Sequence, residues 1–213
     1  GINAARLMYA AVGRQVAQAG GDSVNQRAVV PGRRKALLLA RAALSLHPLT
    51  AASNSPQDQA ALQRHDGLRN RWFLDPLFGK GYPADVLQFV GDAAPKVEPG
   101  DMDAIATPTD FTGINYYFPE IVADAPGQGA MDTRVVEAQG VERTAFGWQV
   151  SPEGMVTLLS RVAKDYGPQA IYLTENGSTY DDVPTPQGEI NDLERRRHLV
   201  RHLLAAKEIV DKG

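Results

Sequence analysis

Residues 151–177 constrain this chain more than any other stretch, because they read as a helix, a stop, a strand and a carboxylate in direct succession. Ser151-Pro152-Glu153 offers a capping hydroxyl, a first-turn proline and an early acid, the combination that starts helices. Met155, Leu158, Leu159, Val162 and Tyr166 then recur at helical spacing. Gly167-Pro168 ends the run, since glycine takes the left-handed position after a helix and proline cannot continue it. Ala170-Ile171-Tyr172-Leu173-Thr174 reads as a buried strand, and Glu175-Asn176-Gly177 turns out of it. A further helix is expected from about Asn191-Asp192, carrying Leu193, Leu199, Val200, Leu203, Leu204 and Ile209 as its apolar positions. Strands alternating with capped helices predict β/α architecture with parallel pairing.

The preceding chain fits that pattern. Ile2, Leu7, Met8, Val12 and Val16 have a rough helical spacing that ends at Gly20-Gly21, and residues 21–35 read as a polar, basic loop. Residues 36–46 are apolar, and periodicity leaves strand and buried helix both open. Ser55-Pro56-Gln57-Asp58 starts a helix over about 56–71, followed by the aromatic stretch Trp72 to Phe78. Tyr82-Pro83 opens a second short helix, and residues 91–109 read as loop with a helical turn. Phe111 to Tyr117 is rich in β-branched and aromatic residues and predicts a strand. Residues 123–145 read as a long loop.

Composition excludes several classes of function. The 213 residues carry 22 basic and 25 acidic side chains, a formal net charge of −3, so nothing in the charge favours nucleic acid or an anionic membrane. There is no cysteine, which removes disulfides, thiolate metal sites and cysteine nucleophiles. The longest apolar run, Ala36 to Ala40, is far short of a bilayer span. Residues 1–20 lack a charged segment followed by an apolar one, so a cytoplasmic location without a signal peptide is expected.

The candidate chemistry lies at two strand ends. A carboxylate such as Glu175, just past an apolar strand, stands where β/α barrels place their reacting groups. Read alone, the plainer reading is a strand-end acid in solvent beside an ordinary Asn-Gly turn. Asn115 and Tyr117 end another strand two residues apart, so they leave the same face. An amide and a phenol there can hold a carboxylate by hydrogen bonds.

Tyr172-Leu173-Thr174-Glu175-Asn176-Gly177 resembles the nucleophile motif of glycoside hydrolase family 1, the β-glucosidase family. Asp110 to Tyr117 is similar to that family's preceding strand, and Asn70 to Phe78 with Gly81-Tyr82-Pro83 to its upstream helix-and-loop signature. Gly147-Trp148 with Ser151-Pro152-Glu153-Gly154, and then Asp192, Arg195 and His202, match its later helices. The resemblance is good over residues 53–213 and weak over 1–52. It implies one incomplete (β/α)8 TIM barrel domain, about strands 5–7 with their helices, spanning residues 1–213. It implies a retaining β-glycosidase with Glu175 as nucleophile, Tyr117 as its support and Asn115 positioning the sugar in the −1 subsite. Trp148 would line the leaving-group side, while Trp72, Pro76 and Phe78 would serve packing.

The family's proton donor lies in an Asn-Glu-Pro motif, and these 213 residues contain none, so no acid/base residue is expected in this chain. Glu120, Asp110 and Glu153 are the nearby acids, and surface solvation is the expected role of Glu120. The expected partner is a small β-glycoside or oligosaccharide, with a complementary barrel half or a second copy completing the fold. A catalytically incompetent fragment and a non-catalytic carbohydrate-binding relative are the alternatives. No cofactor or metal is expected. His198 and His202 have the i, i+4 spacing that can hold zinc, but the flanking arginines favour a solvated basic face. His47 and His65 have no ligand partner at useful spacing. Gly79-Lys80-Gly81 and Gly127-Gln128-Gly129 lack the strand-then-helix setting of a nucleotide loop.

Overall fold

A computed structural model describes residues 44–212. The sequence readings for residues 1–43 lie outside the described residues. The β/α pattern appears as three parallel strands: β1 (Leu44–Ser45), β3 (Thr112–Asn115) and β6 (Ile171–Glu175), in the order β1-β3-β6. A second sheet joins β2 (Leu49–Ala51), β4 (Glu120–Asp124) and β5 (Thr133–Val136), with β2-β4 parallel and β4-β5 antiparallel.

The predicted helix starts hold. Ser55 Oγ accepts from Asp58 N at 3.1 Å at the head of α1 (Pro56–Asp66). The helix does not stop at 71. It passes through a π-helical turn, Gly67–Arg71, into α2 (Trp72–Leu77). The wide turn brings Asn70 Nδ2 to 2.8 Å from Asp66 Oδ1, and Arg161 closes a two-pronged pair on the same carboxylate at 2.6 and 2.7 Å. Two short helices follow, α3 (Ala84–Val90) and α4 (Asp101–Ile105). Among the residues assigned to packing, Pro76 is buried, Trp72 lies tilted against Tyr82 at 4.6 Å and Phe78 meets Tyr166 at 5.2 Å.

Residues 123–145, expected as a loop, instead begin with the β4–β5 hairpin, turned by a 3-10 segment at Ala130–Asp132. Met131 and Asp132 take left-handed backbone there, at φ 58° and 54°, a conformation that composition does not announce.

Helix α5 (Pro152–Tyr166) matches its expectation from cap to stop: Ser151 Oγ accepts from Gly154 N at 3.1 Å, and Gly167 closes the helix at φ 55°. Its buried face, Met155, Leu158, Leu159 and Val162, packs with Leu44, Leu46, Leu74, Ile114 and Tyr116. Alternation along β3 therefore sends Ile114 and Tyr116 outward to the helices, leaving Asn115 and Tyr117 on the opposite face. Tyr116 OH donates to the Ser151 carbonyl at 2.5 Å. A Cβ at Gly154 would stand 2.7 Å from that hydroxyl, so only glycine fits.

Helix α6 (Leu193–Lys212) inverts the sequence reading of its faces. Its buried positions are His198, His202 and Ala205, with Ile209 packed against the core. Leu193, Leu199, Val200, Leu203 and Leu204 are exposed. The helix seats on its neighbours through imidazole rings and small residues, and its leucine-rich stripe faces outward.

Candidate active site

The site forms where β3 and β6 end. Register along the pair runs Ile114 to Leu173 and then Asn115 to Glu175, so Thr174 is an extra residue, a β-bulge. Bulges re-aim a side chain where pairing is interrupted. Here the bulge carries Glu175 level with Asn115, while Thr174 Oγ1 donates to Asn115 Oδ1 at 2.7 Å. The turn beyond is fixed twice: Tyr116 N donates to the Glu175 carbonyl at 2.9 Å, and Asn176 Nδ2 donates to the Tyr116 carbonyl at 3.0 Å.

Tyr117 leaves β3 on the side that Glu175 faces and donates its hydroxyl to Glu175 Oε2 at 2.6 Å. Burial, and then the adjacent carboxylate, push the Tyr117 phenol up to about 12. It therefore remains a donor at ordinary pH. Glu175 Oε1 receives no hydrogen bond from the described residues, leaving one oxygen available to an incoming atom. Asn115 is buried, with its amide oxygen committed to Thr174.

Trp148 stands beside this pair on a short hairpin. Thr144 N donates to the Trp148 carbonyl at 2.9 Å, and Ala145 N donates to the Thr179 carbonyl at 2.8 Å. The second bond ties the hairpin to the segment that follows Glu175. The indole lies 5.4 Å from the Tyr117 ring, 4.9 Å from Phe118 and 5.4 Å from Phe146. All four predicted residues, Glu175, Tyr117, Asn115 and Trp148, thus come together. Phe118 and Phe146 extend the aromatic wall and were missed. Only their position next to the motif residues marked them.

Glu120 corrects the sequence reading. It is buried, not solvated, at the start of β4. His65 Nε2 lies 3.1 Å and Arg69 Nη2 2.8 Å from its carboxylate, with His47 Nδ1 at 3.7 Å. Despite the burial that opposes ionisation, these partners hold Glu120 down at about 2. A group held charged so firmly cannot donate a proton near neutral pH. His47 and His65, read from the sequence as having no ligand partner at useful spacing, both stand beside Glu120, His65 within hydrogen-bond distance and His47 at 3.7 Å. The imidazole of His47 is pushed below its ordinary value, chiefly by burial. Asp110 and Glu153 are exposed, and Asp110 precedes β3, at the opposite end of the sheet from Glu175. Among the described residues no cluster of three His, Cys, Asp or Glu is placed to hold a metal ion, and no helix is long and apolar enough to cross a membrane.

Residues 33–213 match the family profile described as Glycosyl hydrolase family 1. The chain belongs to this family. It is 34% identical over 144 residues to β-glucosidase A of Thermotoga maritima, covering 66% of this chain and 31% of that enzyme. It is 32% identical over 172 residues to a β-glucosidase of Agrobacterium sp., covering 80% of this chain and 37% of that one. Among solved structures, the AHE enzyme from Alicyclobacillus herbarius superposes with a TM-score of 0.74 at 37% identity, over 81% of this chain and 38% of its own. A β-glucosidase from Exiguobacterium marinum gives 0.77 at 30% identity, over 85% and 45%. These family 1 neighbours are (β/α)8 barrels, and this chain supplies part of one. It spans about a third of the length of the curated relatives it matches.

Proposed function

We propose that this chain supplies the nucleophile side of a retaining β-glycosidase, acting on terminal β-linked sugars of small glycosides. The observation that carries the reading is the 2.6 Å hydrogen bond from Tyr117 to Glu175 at the carboxyl end of a parallel strand. In the first step a Glu175 oxygen bonds to the anomeric carbon as the bond to the leaving oxygen breaks, giving a covalent glycosyl–enzyme. Water then attacks the same carbon, restores Glu175 and releases the sugar with retained configuration. Tyr117 steadies the carboxylate as its charge is lost and regained, Asn115 positions the sugar, and Trp148 forms an apolar face for the leaving group.

The proton for a poor leaving group would come from outside residues 1–213, because none of Glu120, Asp110 and Glu153 suits the role. We infer that the 213 residues form one incomplete barrel domain. The exposed stripe of Leu193, Val200, Leu203 and Leu204 on α6 supports completion by a complementary half or by a second copy, since apolar faces of this kind invite association. Light scattering should therefore return a mass above that of one chain. A sharp melt at monomeric mass would defeat this part of the reading.

The test of the chemistry uses a dinitrophenyl β-glucoside, whose leaving group needs no acid, together with azide as acceptor. The β-glycosyl azide, with configuration retained, is the expected product. An α-azide would overturn the retaining assignment, and no turnover by a chain shown to be folded would favour the non-catalytic fragment.

A further inference from the structure

A second concentration of polar atoms lies behind the candidate active site. Eight side-chain polar atoms among the described residues are buried without a hydrogen-bond partner, and six of them belong to two neighbouring stretches. Ser178 Oγ, Thr179 Oγ1 and Tyr180 OH come from the segment that leaves Glu175, and His198 Nδ1, His198 Nε2 and His202 Nε2 come from α6. The two imidazoles are 1% and 3% exposed. Their rings stack at 4.1 Å and 25°, the Tyr180 ring meets His198 edge-on at 6.4 Å, and His202 lies 5.9 Å from Tyr116. His202 Nδ1 stands 2.8 Å from the His198 carbonyl. A carbonyl only accepts, so that nitrogen carries the hydrogen and Nε2 presents a lone pair.

This packing requires uncharged rings. Two imidazolium rings at stacking distance repel each other in a medium that screens poorly, and a buried cation without a partner is costly. The surrounding charges relieve it only in part. Arg201 sits beside the pair and is occupied by Glu142 at 2.5 Å. Arg195 is engaged by Asp192 at 2.5 Å and Asp182 at 2.9 Å, and reaches the Ser178 carbonyl at 3.4 Å. Glu142 acts on His198 and, with Glu194, on Tyr180, and Glu153 of α5 acts on His202; Glu142 and Glu153 favour charged rings, but burial outweighs them.

We propose that His198, stacked on His202 and faced by Tyr180, is a positioning residue for the turn that carries Glu175, and that it seats residues 176–182 on α6 only while both imidazoles are neutral. Burial, and then the neighbouring imidazole, lower His198 to about 4, and burial also lowers His202. The sign follows. A base whose folded value lies below its ordinary 6.5 gives its full contribution above 6.5 and loses it as pH falls toward about 4.

The test is hydrogen–deuterium exchange on the 213-residue chain, corrected for intrinsic rates, from pH 7 down to pH 4.5. Its readout is the backbone, so it stands or falls apart from the glycosidase reading. Exchange in residues 176–182 should accelerate by about ten-fold per pH unit once titration of one imidazole begins, while the α5 peptide over 152–166 keeps its protection. His198→Phe keeps a ring but cannot titrate, and should reduce that acceleration to what His202 alone supplies. Should that variant fail to fold, His198→Gln serves instead. Loss of protection in 176–182 and 152–166 together in the wild type, or an unchanged pH profile in the folded variant, would overturn the proposal.

Discussion

Glu120 and Glu175 lie near the same strand ends and have opposite surroundings. Glu120 is buried among His65, Arg69 and His47, and each of its oxygens has a hydrogen-bond partner. Glu175 has one donor, Tyr117, and an oxygen left open. A carboxylate with its partners saturated holds segments together: here it joins β4 to α1, to the π-helical turn and to the end of β1. A carboxylate with one firm support and one free oxygen can react. Proximity to a barrel mouth is therefore insufficient to mark a catalytic acid, and the number and charge of its partners decide.

The comparison breaks most visibly if the two are neutralised in turn. Glu175→Gln should abolish the glycosyl azide while leaving urea unfolding close to wild type. Glu120→Gln should do the reverse and cost about 1.5–3 kcal/mol, because Arg69 and His65 lose a hydrogen bond to a charged group. A Glu120→Gln chain with wild-type stability would show that the network is not structural.

The pH profile sharpens the same contrast. Glu120 is held at about 2 against an ordinary 4.5. Its stabilising contribution is thus present above 4.5 and lost as pH falls from there toward about 2. Urea midpoints measured between pH 6 and pH 3 should fall more steeply for wild type than for Glu120→Gln. Equal slopes would contradict the assignment.

Smaller effects probe the support of Glu175. Tyr117→Phe removes a hydrogen bond to a charged group, worth about 1.5–3 kcal/mol, and should slow formation of the glycosyl–enzyme on the order of 10- to 100-fold. The variant's pH profile should also lose the alkaline limb that Tyr117, raised to about 12, supplies. The smallest change is expected from Trp148→Ala. Aromatic contacts are worth about 0.5–1.5 kcal/mol, so KM for an aryl glycoside should rise a few-fold with kcat nearly constant.

What the sequence made legible was local. The Ser151 cap, the Gly167 stop and the alternation that pairs Asn115 with Tyr117 depend on neighbours within a few residues, and each appears where expected. The bulge at Thr174 carried no such signal, since it is a property of the pairing between β3 and β6. Glu120 was misjudged because its partners His65 and Arg69 lie 55 and 51 residues away. The faces of α6 were misread for a related reason. Leu199, Val200, Leu203 and Leu204 mark an apolar face, but the surface that receives α6 in this chain accommodates the histidines instead.

The most direct measurement is mass spectrometry of the chain after incubation with an activated 2-fluoro-glucoside, followed by peptide mapping. The fluorine slows both steps and the good leaving group removes the need for an acid, so the covalent intermediate accumulates. The account predicts one adduct per chain, carried by Glu175 and absent from Glu175→Gln. An adduct on Glu120, or none on a folded chain, would contradict it.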